Sequence, residues 1–219
     1  LVAFSHALRR TFAADSLTPK GPRKNADVGR PHDATRPLAK AGPLSAGAWW
    51  CARGGWPSPA PRATTEVFQV LSGHACVTDT GSGARHFMGP GDLVVLPKGW
   101  AGRWDVLEDI HKVWAVVDHP DVGGGGGAGA IVVHHSEYAP AARRGEGGGG
   151  GAPALTALDN GHVAVGTWAP GAGAWAADRH EWLHVVGGVF FLTDATTAAL
   201  AAGALGTPWC CPGWAGVVD

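Results

Sequence analysis

Three short strand-like runs lie between Thr65 and Trp104, and each is closed by residues typical of turns. The runs cover residues 66–71, 75–78 and 93–96, and the segments that end them contain glycine, serine, aspartate and proline. Short strands separated by turns at close intervals are typical of antiparallel sandwiches and barrels. The sequence therefore predicts an all-β fold.

Two spaced sets of residues in this stretch resemble the two motifs of the cupin superfamily. Glu66 is followed after six residues by Gly73, and Gly91 is followed after five residues by Pro97 and then by Gly99. Residues 91–104 are also similar to the second motif of the ureidoglycine-aminohydrolase type of cupin domain, GD-x-VVLP-x-GW-x-G-x-W. The resemblance implies a jelly-roll β-barrel whose interior, in other cupins, holds a metal or a small ligand.

The chain also contains an internal repeat, which the resemblance to cupins makes interpretable. A shift of 115 residues places Glu66 on Glu181. The same shift aligns Gly73, Thr78, Asp79, Gly91 and Pro97 with Gly188, Thr193, Asp194, Gly206 and Pro212. Offsets of 114 and 119 residues align Trp100 with Trp214, and Trp49 and Trp56 with Trp168 and Trp175. All eleven tryptophans fall inside the two copies.

We therefore predict a bicupin, with two tandem cupin (jelly-roll) β-barrels. Residues 1–43 form an N-terminal lead-in, 44–120 the first barrel, 121–151 a glycine-rich linker and 152–219 an incomplete second barrel. Within the linker, the glycine tracts at 123–129 and 145–151 are expected to be flexible.

The second copy is predicted to be truncated at its C-terminus. Asp219 aligns with Asp105, so nothing in the second copy corresponds to residues 106–118. A barrel that lacks its closing strand has an open edge. We expect that edge to pair with residues 131–138, with the N-terminal segment, or with a partner subunit in a homodimer.

Charge and cysteine content restrict the classes of partner and compartment. The formal net charge of −1 gives no field that would favour a nucleic acid or an acidic membrane. Four cysteines without CxxC spacing are interpreted as reduced, packed thiols in a cytoplasmic protein. The apolar and basic residues 1–12 are interpreted as a strand or helix packed on the barrel, or as the remnant of an organellar targeting segment.

The metal ligands implied by the cupin resemblance are mostly missing. Cupins that bind a metal use two histidines shortly before the glutamate of the first motif and one histidine in the second motif. In this sequence the first two positions hold Pro59 or Ala60 and Pro61 or Arg62, and the third holds Gly102. The second copy keeps only Glu181, because the other positions hold Trp175, Ala177 and Gly216. We therefore expect no metal cofactor in either barrel.

Two histidines beside Glu181 do not restore a site. His180 and His184 share one face of a strand, and residue 181 points to the opposite face. They are interpreted as a surface or interface pair.

The candidate ligand-binding residues lie in the first barrel: Glu66, Trp100, Trp104 and Lys112. Glu66 faces inward by the family motif, and Lys112 is the cation near the end of the last strand. One interpretation is a structural ion pair between Glu66 and Lys112 or another cation, because an unpaired buried carboxylate is costly. The other is a small pocket with aromatic walls, in which an amide or ammonium ligand contacts Glu66.

Two functions follow from these residues. The first is a metal-free cupin-fold protein of the ureidoglycine-aminohydrolase-like type that binds a small polar molecule in the first barrel. The alternative is a metal-dependent enzyme similar to (S)-ureidoglycine aminohydrolase, which uses manganese or another divalent metal to release ammonia in purine catabolism.

Overall fold

The fold is described by a computed structural model that covers residues 16–121, 129–137 and 155–167. Beyond these ranges it describes the backbone of six strands between residues 173 and 218. In the described residues nearly all regular structure is β-strand, with a helical turn over residues 135–137. The predicted all-β class is confirmed.

Eleven strands belong to the first barrel and to the segment that follows it. They are β1 (Thr18–Pro22), β2 (His32–Ala41), β3 (Leu44–Cys51), β4 (Gly54–Ser58), β5 (Thr65–Ser72), β6 (Ala75–Asp79), β7 (Arg85–Met88), β8 (Leu93–Leu96), β9 (Gly102–Val106), β10 (Ile110–Val117) and β11 (Ile131–Val133). They form a seven-stranded sheet with the order β1-β2-β3-β10-β5-β8-β11 and a four-stranded sheet with the order β4-β9-β6-β7. The main apolar core draws on strands of both sheets and includes Trp56, Phe68 and Trp104.

Alternation along β10 shows how the sequence divides the two faces of the larger sheet. Lys112, Trp114 and Val116 line a cavity inside the barrel. Val113 and Ala115, which lie between them in sequence, pack in separate apolar clusters. Successive side chains of a strand point to opposite faces, so one eight-residue run supplies both the cavity wall and the outer layer.

The turn between β5 and β6 depends on Gly73. This residue has a φ of 78°, a conformation that residues with a side chain rarely adopt. A Cβ atom added here would also lie 2.0 Å from the carbonyl oxygen of Asp109. The glycine of the first motif is therefore required by backbone geometry at the junction with the loop before β10.

Eight further strands lie in the second half of the chain. They are β12 (Leu155–Asp159), β13 (Ala164–Thr167), β14 (Gly173–Ala176), β15 (His180–His184), β16 (Val189–Asp194), β17 (Leu200–Ala204), β18 (Pro208–Pro212) and β19 (Ala215–Val218). Their sheets have the orders β14-β19-β16-β17, β15-β18 and β12-β13. The first order repeats β4-β9-β6-β7, and the second repeats β5-β8.

The register of these pairs also repeats at the offsets read from the sequence. Glu66 pairs with Leu96 between β5 and β8, and Glu181 pairs with Cys211 between β15 and β18. Both members of the second pair lie 115 residues after those of the first. Between the long central strands, Asp79 pairs with Gly102 and Asp194 with Gly216, at offsets of 115 and 114 residues. The internal repeat is therefore present in the hydrogen-bonded topology.

The hairpin of β12 and β13 repeats that of β2 and β3 at the offset of 119 residues. Arg36 pairs with Ala48, and Leu155 pairs with Thr167. Each hairpin has a register irregularity one step further along, between Pro37 and Ala39 in the first and between Thr156 and Leu158 in the second. The shared bulge is a backbone feature that the residue types alone did not indicate.

The large sheet of the first barrel is divided in the second half. In the first barrel β10 lies between β3 and β5 and joins the β2-β3 and β5-β8 pairs into one sheet. In the described part of the second half, β12-β13 and β15-β18 are separate two-stranded sheets. This division agrees with the prediction that the second copy has no counterpart of the closing strand.

Residues 131–133 do not supply the strand that the second copy was expected to borrow. They form β11, which pairs with β8 of the first barrel, with Ile131 opposite Val95. The remaining expectations for the open edge, the N-terminal segment or a partner subunit, stay predictions.

Two segments predicted to be a lead-in and a linker contain strands, and other parts of them lie outside the described residues. The lead-in predicted for 1–43 contains β1 and β2, which extend the sheet beside β3, and the linker predicted for 121–151 contains β11. The glycine tract at 145–151 and nearly all of that at 123–129 lie outside the described residues. No helix in the described part of the chain has the length and apolar character needed to cross a membrane.

Candidate functional site

A cavity of about 300 Å³ lies inside the first barrel. Strands from both sheets contribute its wall, since Trp49 lies on β3, Trp56 on β4, Glu66 on β5 and Trp104 on β9. Lys112, Trp114 and Val116 of β10 complete the strand-borne side. This volume is at the lower end of the range for small-molecule sites, which suits a ligand of few atoms.

Glu66 is held between two cations at the base of this wall. Its Oε1 accepts a hydrogen bond from Nζ of Lys112 at 2.8 Å, and its Oε2 lies 2.8 Å from a terminal nitrogen of Arg62. Glu66 is 8% exposed and Lys112 is 4% exposed. The ion pair considered from the sequence is present, and Arg62 is a second partner that the sequence argument did not identify.

The pKa values of Glu66 and Lys112 are both lowered, for different reasons. Burial alone would raise the pKa of Glu66, but the nearby charges of Lys112 and Arg62 outweigh it and lower that pKa. Burial lowers the pKa of Lys112, and Glu66 only partly offsets this effect. Arg62 and Arg23 lower the pKa of Lys112 further. Burial is therefore the main cause of the lowered pKa of Lys112, and two neighbouring arginines add to it.

Aromatic rings surround the ammonium group of Lys112. Its Nζ lies 3.7 Å from the ring centre of Phe68 and 4.8 Å from that of Trp104. Trp56 and Trp104 stack at 6.0 Å with an angle of 10° between their planes, and Trp49 meets both rings by its edge. These contacts stabilise the buried cation and give the cavity a flat apolar wall.

The N-terminal lead-in contributes two further cations to the cavity, Lys20 and Arg23. The guanidinium of Arg23 lies 4.0 Å over the ring of Trp56 and forms a 2.7 Å ion pair with Asp33. Asp33 also accepts a hydrogen bond from Nε1 of Trp49 at 3.1 Å. No local motif indicates this role, because Arg23 reaches the cavity only when β1 and β2 extend the sheet.

Trp100 lies apart from the other predicted ligand-binding residues. It is 1% exposed, and its indole nitrogen donates a 2.7 Å hydrogen bond to Asp79 rather than facing the cavity. Asp79 also accepts hydrogen bonds from His86 and from the backbone amide of Ala130. Of the four predicted residues, Glu66, Trp104 and Lys112 line the cavity, whereas Trp100 anchors the segment that leads into β11.

The groups around Glu66 do not fit a metal ion. Lys112 and Arg62 carry protons and positive charge where a metal site needs lone pairs. Among the described residues, no group of three or more His, Cys, Asp and Glu could hold a metal ion. The side chains of His180, Glu181 and His184 lie outside the described residues, and the expected absence of metal stays a prediction.

The model of the EutQ-like cupin domain family matches residues 38–114, which include most of the cavity wall. Residues 38–114 form a cupin-fold domain. This agreement and the β-barrel architecture support the resemblance first read from Glu66, Gly73 and the second motif. A bicupin and the ureidoglycine-aminohydrolase type are more specific assignments than this match to a single domain gives.

Two solved structures share the fold over nearly the whole chain. A cupin 2 conserved barrel domain protein from Leptotrichia buccalis is 9% identical with a TM-score of 0.60, and the alignment covers 90% of this chain and 85% of that one. Protein Ylba from E. coli is 10% identical with a TM-score of 0.60, and the alignment covers 94% of this chain and 83% of that one. These likenesses show the fold.

Other similarities are partial. A protein of unknown function from Pseudomonas syringae pv. tomato is 22% identical with a TM-score of 0.42. The alignment covers 46% of this chain and 44% of that one, so it spans less than half of either protein. No curated protein matches the sequence.

Proposed function

We propose that the cupin domain binds a small polar molecule inside its barrel without a metal ion. The observation that carries the proposal is the cavity of about 300 Å³ in which indole rings and charged groups lie side by side. Aromatic walls with a few polar anchors are the usual composition of a small-molecule site.

Charged donors on the cavity wall support a polar ligand. Lys20, Arg23, Arg62 and Lys112 all line the cavity. A polar ligand that accepts from such donors gains charge-assisted hydrogen bonds.

The metal-dependent alternative rests on the second motif. Residues 91–104 resemble those of ureidoglycine-aminohydrolase-type cupins, and a bicupin enzyme of that type uses a metal in its C-terminal barrel. In the described barrel, the lysine and arginine around Glu66 favour metal-free binding. Release of ammonia from ureidoglycine is therefore tested as the alternative activity.

The test combines tryptophan fluorescence with metal analysis. We expect small polar molecules to change the fluorescence of the full chain in the presence of a chelator, because four indoles line the cavity. Trp104→Leu should abolish the response, whereas Trp50→Leu, at a residue that does not line this cavity, should preserve it. Release of ammonia from ureidoglycine only after loading with manganese, abolished by Glu181→Ala, would favour the aminohydrolase. Absence of any response across a broad set of polar compounds would refute the proposal.

A further inference from the structure

We infer that the ligand of this cavity is a small organic carboxylate, which is the opposite of the ammonium or amide ligand expected from Glu66 in the sequence. The inference rests on the proposed binding function and specifies the class of molecule. It follows from the charges that the fold gathers around the cavity.

The side chains around the cavity carry more positive than negative charge. Four cationic side chains line the cavity, Lys20, Arg23, Arg62 and Lys112, against the single carboxylate of Glu66. Asp33 neutralises one further charge through its ion pair with Arg23. Four positive charges less two negative ones leave an excess of two among these described groups. An anion would lower the free energy of this cluster, and a cation would raise it.

An ammonium ligand would need Glu66 as its acceptor, because Glu66 is the carboxylate among the described residues that line the cavity. Both oxygens of Glu66 are already bonded at 2.8 Å, one to Lys112 and the other to Arg62. An incoming ammonium group would therefore join two charges of its own sign around the same carboxylate. A carboxylate ligand would instead accept from the cationic side chains that line the cavity, Lys20, Arg23 and Arg62 among them.

The aromatic rings of the cavity favour an organic anion over inorganic phosphate. The cationic groups lie against rings, with Arg23 over Trp56 at 4.0 Å and Lys112 near Trp104 at 4.8 Å. Phosphate has no apolar part to place against Trp49, Trp56 and Trp104. A carboxylate on a short apolar body satisfies the donors and covers the rings.

The experiment compares ligands of nearly equal size and different charge. Calorimetric binding to the full chain at pH 7.5 and low salt would use benzoate, benzamide and benzylammonium, then butyrate, butyramide and butylammonium, and finally inorganic phosphate. We expect each carboxylate to bind at least about tenfold more tightly than its amide, the ratio that one charge-assisted hydrogen bond gives. The ammonium compounds and phosphate should bind weakly or not at all.

Three variants test whether the charges around the cavity determine carboxylate binding. Arg62→Gln should weaken carboxylate binding about tenfold or more and leave amide binding nearly unchanged. Arg85→Gln, outside the cavity and over Phe87, is the matched control and should change neither. Glu66→Gln should tighten carboxylate binding because it removes the competing anion and frees Lys112. If that variant does not fold, the comparison of Arg62→Gln with Arg85→Gln still decides.

Other results would contradict the carboxylate inference, the proposed binding function, or both. Tighter binding of amides or ammonium compounds, lost in Glu66→Gln, would overturn the carboxylate inference and leave the proposed binding function standing. Phosphate bound as tightly as the carboxylates would overturn the organic class. If the broad compound set used to test the proposed function also gives no response, both statements fall; if only these probes fail to bind, the carboxylate inference falls alone.

Discussion

The ammonium nitrogen of Lys112 lies 2.8 Å from Oε1 of Glu66, and both residues are more than nine-tenths buried. The two residues differ in the number of their charged partners. Glu66 pairs with Arg62 as well as with Lys112, whereas Glu66 is the one carboxylate among the described cavity-lining residues that pairs with Lys112. Loss of the carboxylate should therefore cost more than loss of the ammonium group.

Glu66→Gln is expected to lower the free energy of unfolding by about 3–5 kcal/mol, because it leaves buried positive charge without its counter-ion. Lys112→Met keeps the ion pair of Glu66 with Arg62 and should cost less, about 1–3 kcal/mol. Urea denaturation followed by tryptophan fluorescence measures both values. A larger loss in Lys112→Met than in Glu66→Gln would contradict the asymmetry.

Asp79 is expected to hold the segment before β11 against the barrel. Its carboxylate accepts from Trp100, His86 and the amide of Ala130, and these bonds outweigh burial and lower its pKa. Asp79→Asn removes the charge from a buried hub, so the amides of residues 130–133 should exchange hydrogen roughly ten- to hundredfold faster.

Hydrogen exchange read by mass spectrometry on the peptides that contain β11 provides the measurement. Asp118→Asn, at an exposed carboxylate on the loop after β10, is the matched control and should leave those rates unchanged. Equal rates in the wild type and in Asp79→Asn would show that the pairing of β11 with β8 suffices to hold the segment.

Cys51 should make the protein less stable at alkaline pH. Burial raises the pKa of this thiol from 9.0 to about 12. The unfolded chain loses the proton first, so the contribution of the thiol to stability is complete below pH 9 and decreases as pH rises from 9 toward 12. In Cys51→Ala this component is absent, so the stability difference between the wild type and the variant should shrink above pH 9.

Denaturation by urea at several pH values between 8 and 11 measures that difference, and groups common to both proteins cancel. A difference that stays constant or grows with pH would contradict the expected titration. Slow alkylation of Cys51 in the native chain at pH 8, compared with the unfolded chain, would independently show that the thiol is protected.

Gly47 should not tolerate a side chain. A Cβ atom there would lie 2.5 Å from the ring of Trp114 and 2.6 Å from the carbonyl oxygen of Arg36. Gly47→Ala must therefore displace a cavity-lining tryptophan or the bulged strand β2, at a cost of about 1–3 kcal/mol. Gly81→Ala, where no atom lies within 4 Å of the added Cβ, is the control and should be close to neutral. Equal stability of the two variants would show that β2 moves without cost.

The residues of the second motif and of the repeat were sufficient to predict the architecture. Spacing of glycine, proline and glutamate reflects local turn geometry and strand alternation, which act over a few residues. Pairing of Asp79 with Gly102 and of Asp194 with Gly216 therefore follows offsets visible in the sequence. Glu66, Trp104 and Lys112 could be assigned to the interior for the same reason.

The character of the cavity was decided by tertiary structure. Trp100 was expected to line the same pocket as Glu66, but in the fold its indole nitrogen reaches Asp79, a contact that strand alternation does not determine. Arg23 and Arg62 come from segments that the sequence presents as a lead-in and a proline-rich connection, yet they face the same interior as Lys112. The sequence alone determined a barrel with one inward glutamate. Only the fold brought several cations to it, because their approach depends on distances between residues far apart in the chain.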